Sequence, residues 1–214
     1  MEKTFKDIKI PSETFAITYP LMESFYTIQG EGQFQGHAAY FLRLGGCDVG
    51  CHWCDVKESW PIDTHPQVTI HQMLEDIKNT PTQIVVITGG EPLMHNLDPL
   101  TEVLQAAGYR THIETSGVGE FTGYWDWICF SPKKFKKPNS EIFPKVDELK
   151  LVVFHPSDIE WVQQFVSQMP TNCKLLVQPE WSKRDDISPI LVDFVKNNPQ
   201  WNISIQTHKY LQIP

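Results

Sequence analysis

Three cysteines, Cys47, Cys51 and Cys54, stand in the stretch RLGGCDVGCHWCDVKESW (residues 43–60) with the spacing C-x3-C-x2-C. Thiolates this close together point to a metal centre, since an odd number of clustered cysteines does not read as a disulfide framework. Two centres fit. A zinc ion wants four ligands and would need His52 or a distant residue as the fourth. A cubane iron–sulfur cluster can be held by three thiolates, which leaves one iron open to a small chelating molecule. In that reading the missing ligand marks the working position. The other two cysteines, Cys129 and Cys173, fall inside strand patterns and read as small core residues.

The bulk of the chain narrows the field. Its 214 residues suit one domain with a sizeable core. With 41% hydrophobic and 21% charged residues, the chain reads as globular rather than disordered. The net charge of −8 argues against a protein whose main task is gripping nucleic acid. The opening MEKTFKDIKIPSE has no apolar segment of the signal-peptide kind, and no apolar run is long enough to span a membrane. The cytoplasm is the expected compartment, with neither nucleic acid nor membrane as partner.

The cysteine loop must be held by something, and the patterning says what. Strands are expected at 39–44, 83–88, 109–114, 127–130, 148–154, 173–178 and 201–206. Helices are expected after Thr69 through residue 79, over 98–107, after a Ser157 cap through 169, and over 187–197. Pro99 suits a first helical turn and Gly108 a stop. Apolar strands alternating with helices argue for a parallel sheet covered by helices, and about six such units suggest a barrel or an incomplete barrel. Reactive groups in such folds gather beyond the C-terminal ends of the strands. Gly45-Gly46 with the cysteines, then GGEP, ETSG, SPKK, QPE and QTHK, all fall there.

CDVGCHWC, with an aromatic residue before its last cysteine, resembles the cluster loop of radical S-adenosylmethionine (SAM) enzymes. Gly89-Gly90-Glu91-Pro92 is similar to that superfamily's second signature. The segments SFYTIQGEGQFQG, FLRLGGC, VVITGGEP, IETSG, SPK, LVQPE and QTHKYLQIP resemble, more narrowly, the 7-carboxy-7-deazaguanine synthase family. The likeness runs from Ser24 to Pro214, which makes residues 24–214 a radical SAM core domain and residues 1–23 an N-terminal extension.

The resemblance implies an α/β fold, an incomplete (β/α) barrel of the radical SAM type. It implies a [4Fe–4S] cluster on Cys47, Cys51 and Cys54, whose open iron chelates SAM, and electron transfer that releases a 5′-deoxyadenosyl radical. The implied substrate is the small molecule 6-carboxy-5,6,7,8-tetrahydropterin, which loses ammonia to give 7-carboxy-7-deazaguanine for queuosine and related 7-deazapurines. A flavodoxin- or ferredoxin-type electron donor, assisting Mg²⁺ and a homodimer are implied with it.

Carried over residue by residue, the substrate positions are Ile28, Gln29, Gly30, Arg43, Thr88 and Pro214. The SAM positions are Trp53, Cys54, Asp55, Gly90, Ser131, Pro132, Lys133, Gln178, Pro179 and Glu180. No side chain is assigned a catalytic role. Arg43 can grip a carboxylate with its planar fork, against the alternative of a solvent-facing charge on an edge strand. Glu91 and Glu114 either face the pocket or satisfy loop amides. His208 and Lys209 either support the substrate end or are structural. Of the lysines in SPKKFKKP, Lys133 is the one expected in the site.

One departure stands out. The family commonly has a threonine or serine two residues after the last cluster cysteine, as a magnesium ligand, and this chain has Val56. Asp55, water or the Lys57 cation is the expected substitute. Two other readings compete: a radical SAM activase that makes a glycyl radical on a partner enzyme, and a non-enzymatic iron–sulfur or zinc protein. QGEG and Arg43 speak against the first, and GGEP with the strand-end polar residues against the second.

Overall fold

The computed structural model describes residues 10–214, so the first nine residues of the expected extension lie outside the described residues. Its strands are β1 (Thr18–Ile28), β2 (Ala38–Leu44), β3 (Gln67–Thr69), β4 (Ile84–Gly89), β5 (Arg110–Thr115), β6 (Trp127–Phe130), β7 (Glu148–Val153), β8 (Lys174–Pro179) and β9 (Trp201–Ile203). They form one nine-stranded sheet in the order β3-β1-β2-β4-β5-β6-β7-β8-β9. From β2 through β9 every neighbouring pair is parallel, while β1 runs antiparallel to β2 and β3 antiparallel to β1. β3 and β9 are separate edges, so the sheet is the open, incomplete barrel that the pattern implied.

The helices are α1 (Ile70–Lys78), α2 (Asp98–Ala106), α3 (Ser157–Val166), α4 (Arg184–Asn197) and α5 (Thr207–Leu211). The outer sheet face packs on the first four: Leu42, Ile87, Ile113, Leu149, Leu151 and Val177 share one core with Met73, Leu100, Val162 and Leu191. Burial on both faces is why these strands read as near-continuous apolar runs. The inner face starts apolar, with Ala39, Phe41, Ile84 and Val86 packed against Phe25 and Phe34. Residues one step further along the same strands, Arg43 and Thr88, are polar, as are Glu114 on β5 and Lys150 on β7. A parallel sheet thus delivers its polar residues to one end.

Local signals explain most of the boundaries. Thr69 caps α1 in a full capping box with Gln72, and Gly108 takes φ +82 after α2. Ser157 does not cap α3. It is the first residue of the helix, and its hydroxyl is engaged by Lys134 Nζ and the His155 ring, while the Asp158 carboxylate ties the preceding turn by accepting from Phe154 N at 2.9 Å and His155 N at 2.8 Å. The last strand ends at Ile203 rather than residue 206, because the Ser204 hydroxyl turns inward to bond Gln178 and α5 begins soon after. No helix follows β5, and only a short 3-10 helix, Ser140–Lys145, precedes β7. Sequence reading missed β1 and β3. β1 crosses position 23/24, and an irregularity between Leu21 and Glu23 re-aims it. Leu21 therefore packs in the helix-side core and Phe25 on the inner face. Among the described residues no helix is long and apolar enough to cross a membrane.

Low on the inner face, His112 is 3% exposed, with the Phe34 ring at 4.6 Å. Its Nε2 has no hydrogen-bond partner among the described residues. Burial first, then the Arg110 charge, holds its pKa down to about 4. The unfolded chain takes up this proton near pH 6.5 and the folded one does not, so stability is lost as pH falls from 6.5 to 4. His112→Phe is expected to remove up to about 3 kcal/mol of that loss, read from urea midpoints at pH 7 and 4.5.

Candidate active site

A pocket of about 600 Å³ opens at the C-terminal ends of the strands and reaches from β1 to α5. Cys47, Cys51 and Cys54 all line it. Cys51 packs with Val49 and Val118 into a small apolar cluster that Cys47 and Cys54 flank. Burial pushes the Cys51 thiol up to about 11, opposed by the nearby Lys133 charge, and burial also raises Cys47. Such thiols keep their protons until a metal displaces them. Among the described residues no three His, Cys, Asp or Glu side chains are grouped to hold a metal ion. The thiols instead frame one wall of the pocket, which suits a polynuclear cluster that spreads its ligands over several irons. His52, the alternative zinc ligand, is exposed and stands edge-on to Phe135 and Phe154 at 5.3 and 5.0 Å, outside the pocket wall.

The Gly-Gly pair after β4 is more than a turn. A Cβ on Gly89 would meet Leu44 O at 2.1 Å, and one on Gly90 would meet Gly46 O at 2.3 Å and Cys47 Cβ at 2.7 Å. The bare backbone lets β4 lie directly against the cysteine loop, and Glu91 N donates to Gly46 O at 2.8 Å. Glu91 also lines the pocket, but its carboxylate oxygens are spent on structure. It accepts from Leu93 N at 3.0 Å and Ser116 N at 2.8 Å, and from the hydroxyls of Thr115 and Ser116. Glu114 takes the other option and faces the pocket, accepting from Lys150 Nζ at 2.8 Å and from Gln29 Nε2 at 3.2 Å.

Of the positions singled out in the sequence, Ile28, Gln29, Gly30, Arg43, Thr88 and Pro214 line the pocket, as do Trp53, Asp55, Val56, Gly90, Ser131, Lys133, Gln178 and Glu180. Pro132 and Pro179 are buried and do not line it. Arg43 is not on an edge strand, because β2 pairs on both sides, and Glu23 takes its Nε–H at 2.6 Å. Lys133 Nζ donates to Ser131 O and Oγ, both at 2.6 Å, with the Trp53 ring centre 5.9 Å away. Lys134 and Lys136 are engaged outside the pocket by Asp158 and Asp48. Asp55 is ion-paired with Lys209 at 2.6 Å, and Lys57 turns away over the Trp60 ring. Cys129 is buried as expected, but as part of the site's underside, 3.4 Å from Glu148 Oε1; Cys173 is only half-buried.

The comparisons agree with this geometry. Residues 42–122 match the model described as the Radical SAM superfamily. The 7-carboxy-7-deazaguanine synthase of Flavobacterium psychrophilum is 47% identical over 98% of this chain and 99% of its own length. That of Synechocystis is 41% identical over 94% of this chain and 97% of its own. The chain belongs to the 7-carboxy-7-deazaguanine synthase family. The crystal structure of QueE from Escherichia coli superposes with a TM-score of 0.83 at 31% identity, covering 94% of this chain and all of that one. As a radical SAM family, the 7-carboxy-7-deazaguanine synthases imply a [4Fe–4S] cluster and SAM.

Sequence reasoning missed Glu31, Lys150, Trp181 and Gln206, which also line the pocket. A signal for Lys150 was present. In ELKLVV two charges sit two residues apart inside an apolar strand, and period-2 placement puts both on one face. The C-terminal segment roofs this wall. Thr207 N donates to Gly30 O at 2.9 Å, and the His208 ring lies where a side chain at Gly30 would be, with Nδ1 2.1 Å from an ideal Cβ. Gly30→Ala is therefore expected to displace α5, seen as faster amide exchange across residues 207–211 with little change in exchange across β4 to β6.

Proposed function

We propose that this protein is a radical SAM carbon–nitrogen lyase. It converts 6-carboxy-5,6,7,8-tetrahydropterin to 7-carboxy-7-deazaguanine with loss of ammonia, for queuosine or another 7-deazapurine. The observation that carries this reading is one pocket with two unlike walls. Three thiols stand in one, and Arg43, Gln29, Glu114 and Lys150 in the other. An activase acting on a partner protein has no need of the second wall, and relatives matching almost end to end favour the synthase.

When bound, the [4Fe–4S] cluster and SAM would supply the radical chemistry that the pterin rearrangement needs. The chain's own residues do the rest. Cys47, Cys51 and Cys54 hold the cluster, and Cys54 with Trp53 edges the SAM side. The backbone at Gly90, kept free of a Cβ by the close approach of the cysteine loop, would receive the SAM methionine group. Ser131, Lys133 and Gln178 form the remaining SAM wall. Arg43, oriented by Glu23, offers its fork to the substrate carboxylate. Gln29, Ile28, Gly30 and Thr88 lie along the pterin, with Pro214 at its far end. A flavodoxin- or ferredoxin-type carrier supplies the electron, and the enzyme works as a homodimer in the cytoplasm. Anaerobic reconstitution with iron, sulfide, SAM and the carboxylated pterin tests the reading: SAM cleavage without deazaguanine product would refute it. Arg43→Lys keeps the charge and loses the fork, so the apparent KM for pterin is expected to rise about tenfold or more, with iron content unchanged.

Magnesium does not fit this chain at the position its family resemblance implies. Val56 lines the pocket with no side-chain oxygen to offer, its carbonyl accepts from Ser59, and Lys209 holds one oxygen of the neighbouring Asp55 carboxylate. Turnover is expected to depend only weakly on Mg²⁺ after chelation, and Val56→Thr to strengthen that dependence. Rates measured against Mg²⁺ concentration for both proteins decide it. Strong stimulation of the natural enzyme, unchanged on substitution, would sink the idea.

A further inference from the structure

We propose that Lys150 is the positioning residue of the substrate wall, its buried ammonium bridging the Glu31 and Glu114 carboxylates so that both face the pocket as acceptors for the N–H edge of a bound heterocycle. The identity of that heterocycle rests on the pterin reading above; the bridge itself does not. Lys150 is 3% exposed, and its Nζ lies 2.6 Å from Glu31 Oε2 and 2.8 Å from Glu114 Oε2. Each carboxylate spends one oxygen on the lysine. The other oxygens are oriented by amides: Gln206 Nε2 donates to Glu31 Oε1 at 2.8 Å, and Gln29 Nε2 to Glu114 Oε1 at 3.2 Å. A carboxylate oxygen has lone pairs beyond the one so used. The arrangement suits a ligand that presents adjacent N–H donors, such as a 2-aminopyrimidinone ring.

The charges around Lys150 are mainly acidic, with the Lys133 ammonium as the opposing neighbour. Glu31 reaches it from the loop after β1, Glu114 from β5 and Glu148 from its own strand, while the Cys129 thiol on β6 and His208 on α5 complete the surroundings. Burial works against the lysine's charge, but the acidic groups outweigh it and hold its pKa well above the ordinary value. Burial likewise pushes Glu31 up, and Lys150 pulls it down to about 2. Lys150 is the largest of the influences that keep Glu31 ionised against its burial. Without the lysine, burial is opposed only by the Gln206 amide and the His208 charge, so the Glu31 carboxyl is driven upward toward protonation, which turns an acceptor into a donor.

The test compares wild type, Lys150→Met and Lys150→Arg in the reconstituted holoenzyme, measuring iron content, SAM binding, and pterin KM and kcat from pH 6.5 to 9. Lys150→Met is expected to raise the pterin KM about tenfold or more, with KM falling again as pH rises, while iron content and SAM binding hold. Lys150→Arg is expected to recover much of the loss. An unchanged KM in Lys150→Met, or a KM raised equally at every pH, overturns the proposal. Should Lys150→Met fail to hold iron, the double variant Lys150→Met/Glu31→Gln has no uncompensated carboxylate at Glu31 and decides instead: wild-type pterin affinity there overturns the proposal, and weak affinity with full iron supports it. A wild-type holoenzyme that does not bind the pterin at all counts against the proposed function, whereas wild-type binding matched by Lys150→Met counts against Lys150 alone.

Discussion

Lys150 puts an ammonium group inside a sheet, and much of the molecule is arranged around that fact. Removing one ion from water costs several kcal/mol even after relaxation, and one good partner rarely covers it. Glu114, two strands away on β5, supplies one partner. The other does not come from the sheet, which is open between its edges β3 and β9. It comes from the loop that joins β1 to β2, which carries Glu31 to the lysine. The rest of that loop is tied down along the way. Gly32 N donates to Ser204 Oγ at 3.0 Å and Gln33 N to Glu148 Oε2 at 2.9 Å, while Phe34 packs on the rings of His112 and Trp127. A charge that must be matched thus recruits the segment that covers the seam, and the same segment supplies Gln29 and Gly30 to the pocket.

The C-terminal segment depends on that covering in turn. α5 rests on Gly30, and Lys209 reaches past Trp181 to Asp55 at the end of the cysteine loop. Exposed ion pairs contribute little to stability, so the Lys209–Asp55 contact does not hold the fold. It sets which residues are neighbours. Through it, the segment carrying Pro214 and the loop carrying the three thiols become opposite sides of one opening.

How much of this could be read from the chain varies with the physics involved. Strands with apolar residues on both faces, such as β4 and β8, were legible because nothing else produces such short apolar runs between helices. α1 was legible from one capping box. β1 was not, because its bulge breaks the two-residue period halfway along and Pro20 and Glu23 look like loop residues. The site's chemistry was legible where local spacing carries it, as in the cysteine loop and in Gly89-Gly90. Glu31 and Lys150 were not, because their meaning lies in a contact between residues 119 positions apart. Period alone puts Lys150 on the inner face, but only the open seam and the crossing loop tell what meets it there.

Glu91 and Glu114 show why residue type at a strand end does not settle its use. Both stand at the C-terminal ends of parallel strands, Glu91 just beyond β4 and Glu114 in the last positions of β5, and both were even candidates for the pocket. Glu91 comes one residue after the close approach that Gly90 permits, at the foot of the cysteine loop. There backbone amides at Leu93 and Ser116 point inward with no strand partner, and a carboxylate acceptor satisfies them. Glu114 is still within β5, where its own amide and carbonyl belong to the ladder and its side chain stands free on the inner face. Its carboxylate is then available to a lysine and a glutamine that line the same cavity. The backbone's unmet hydrogen bonds take the first carboxylate, and where the ladder leaves none unmet the next carboxylate is left for chemistry.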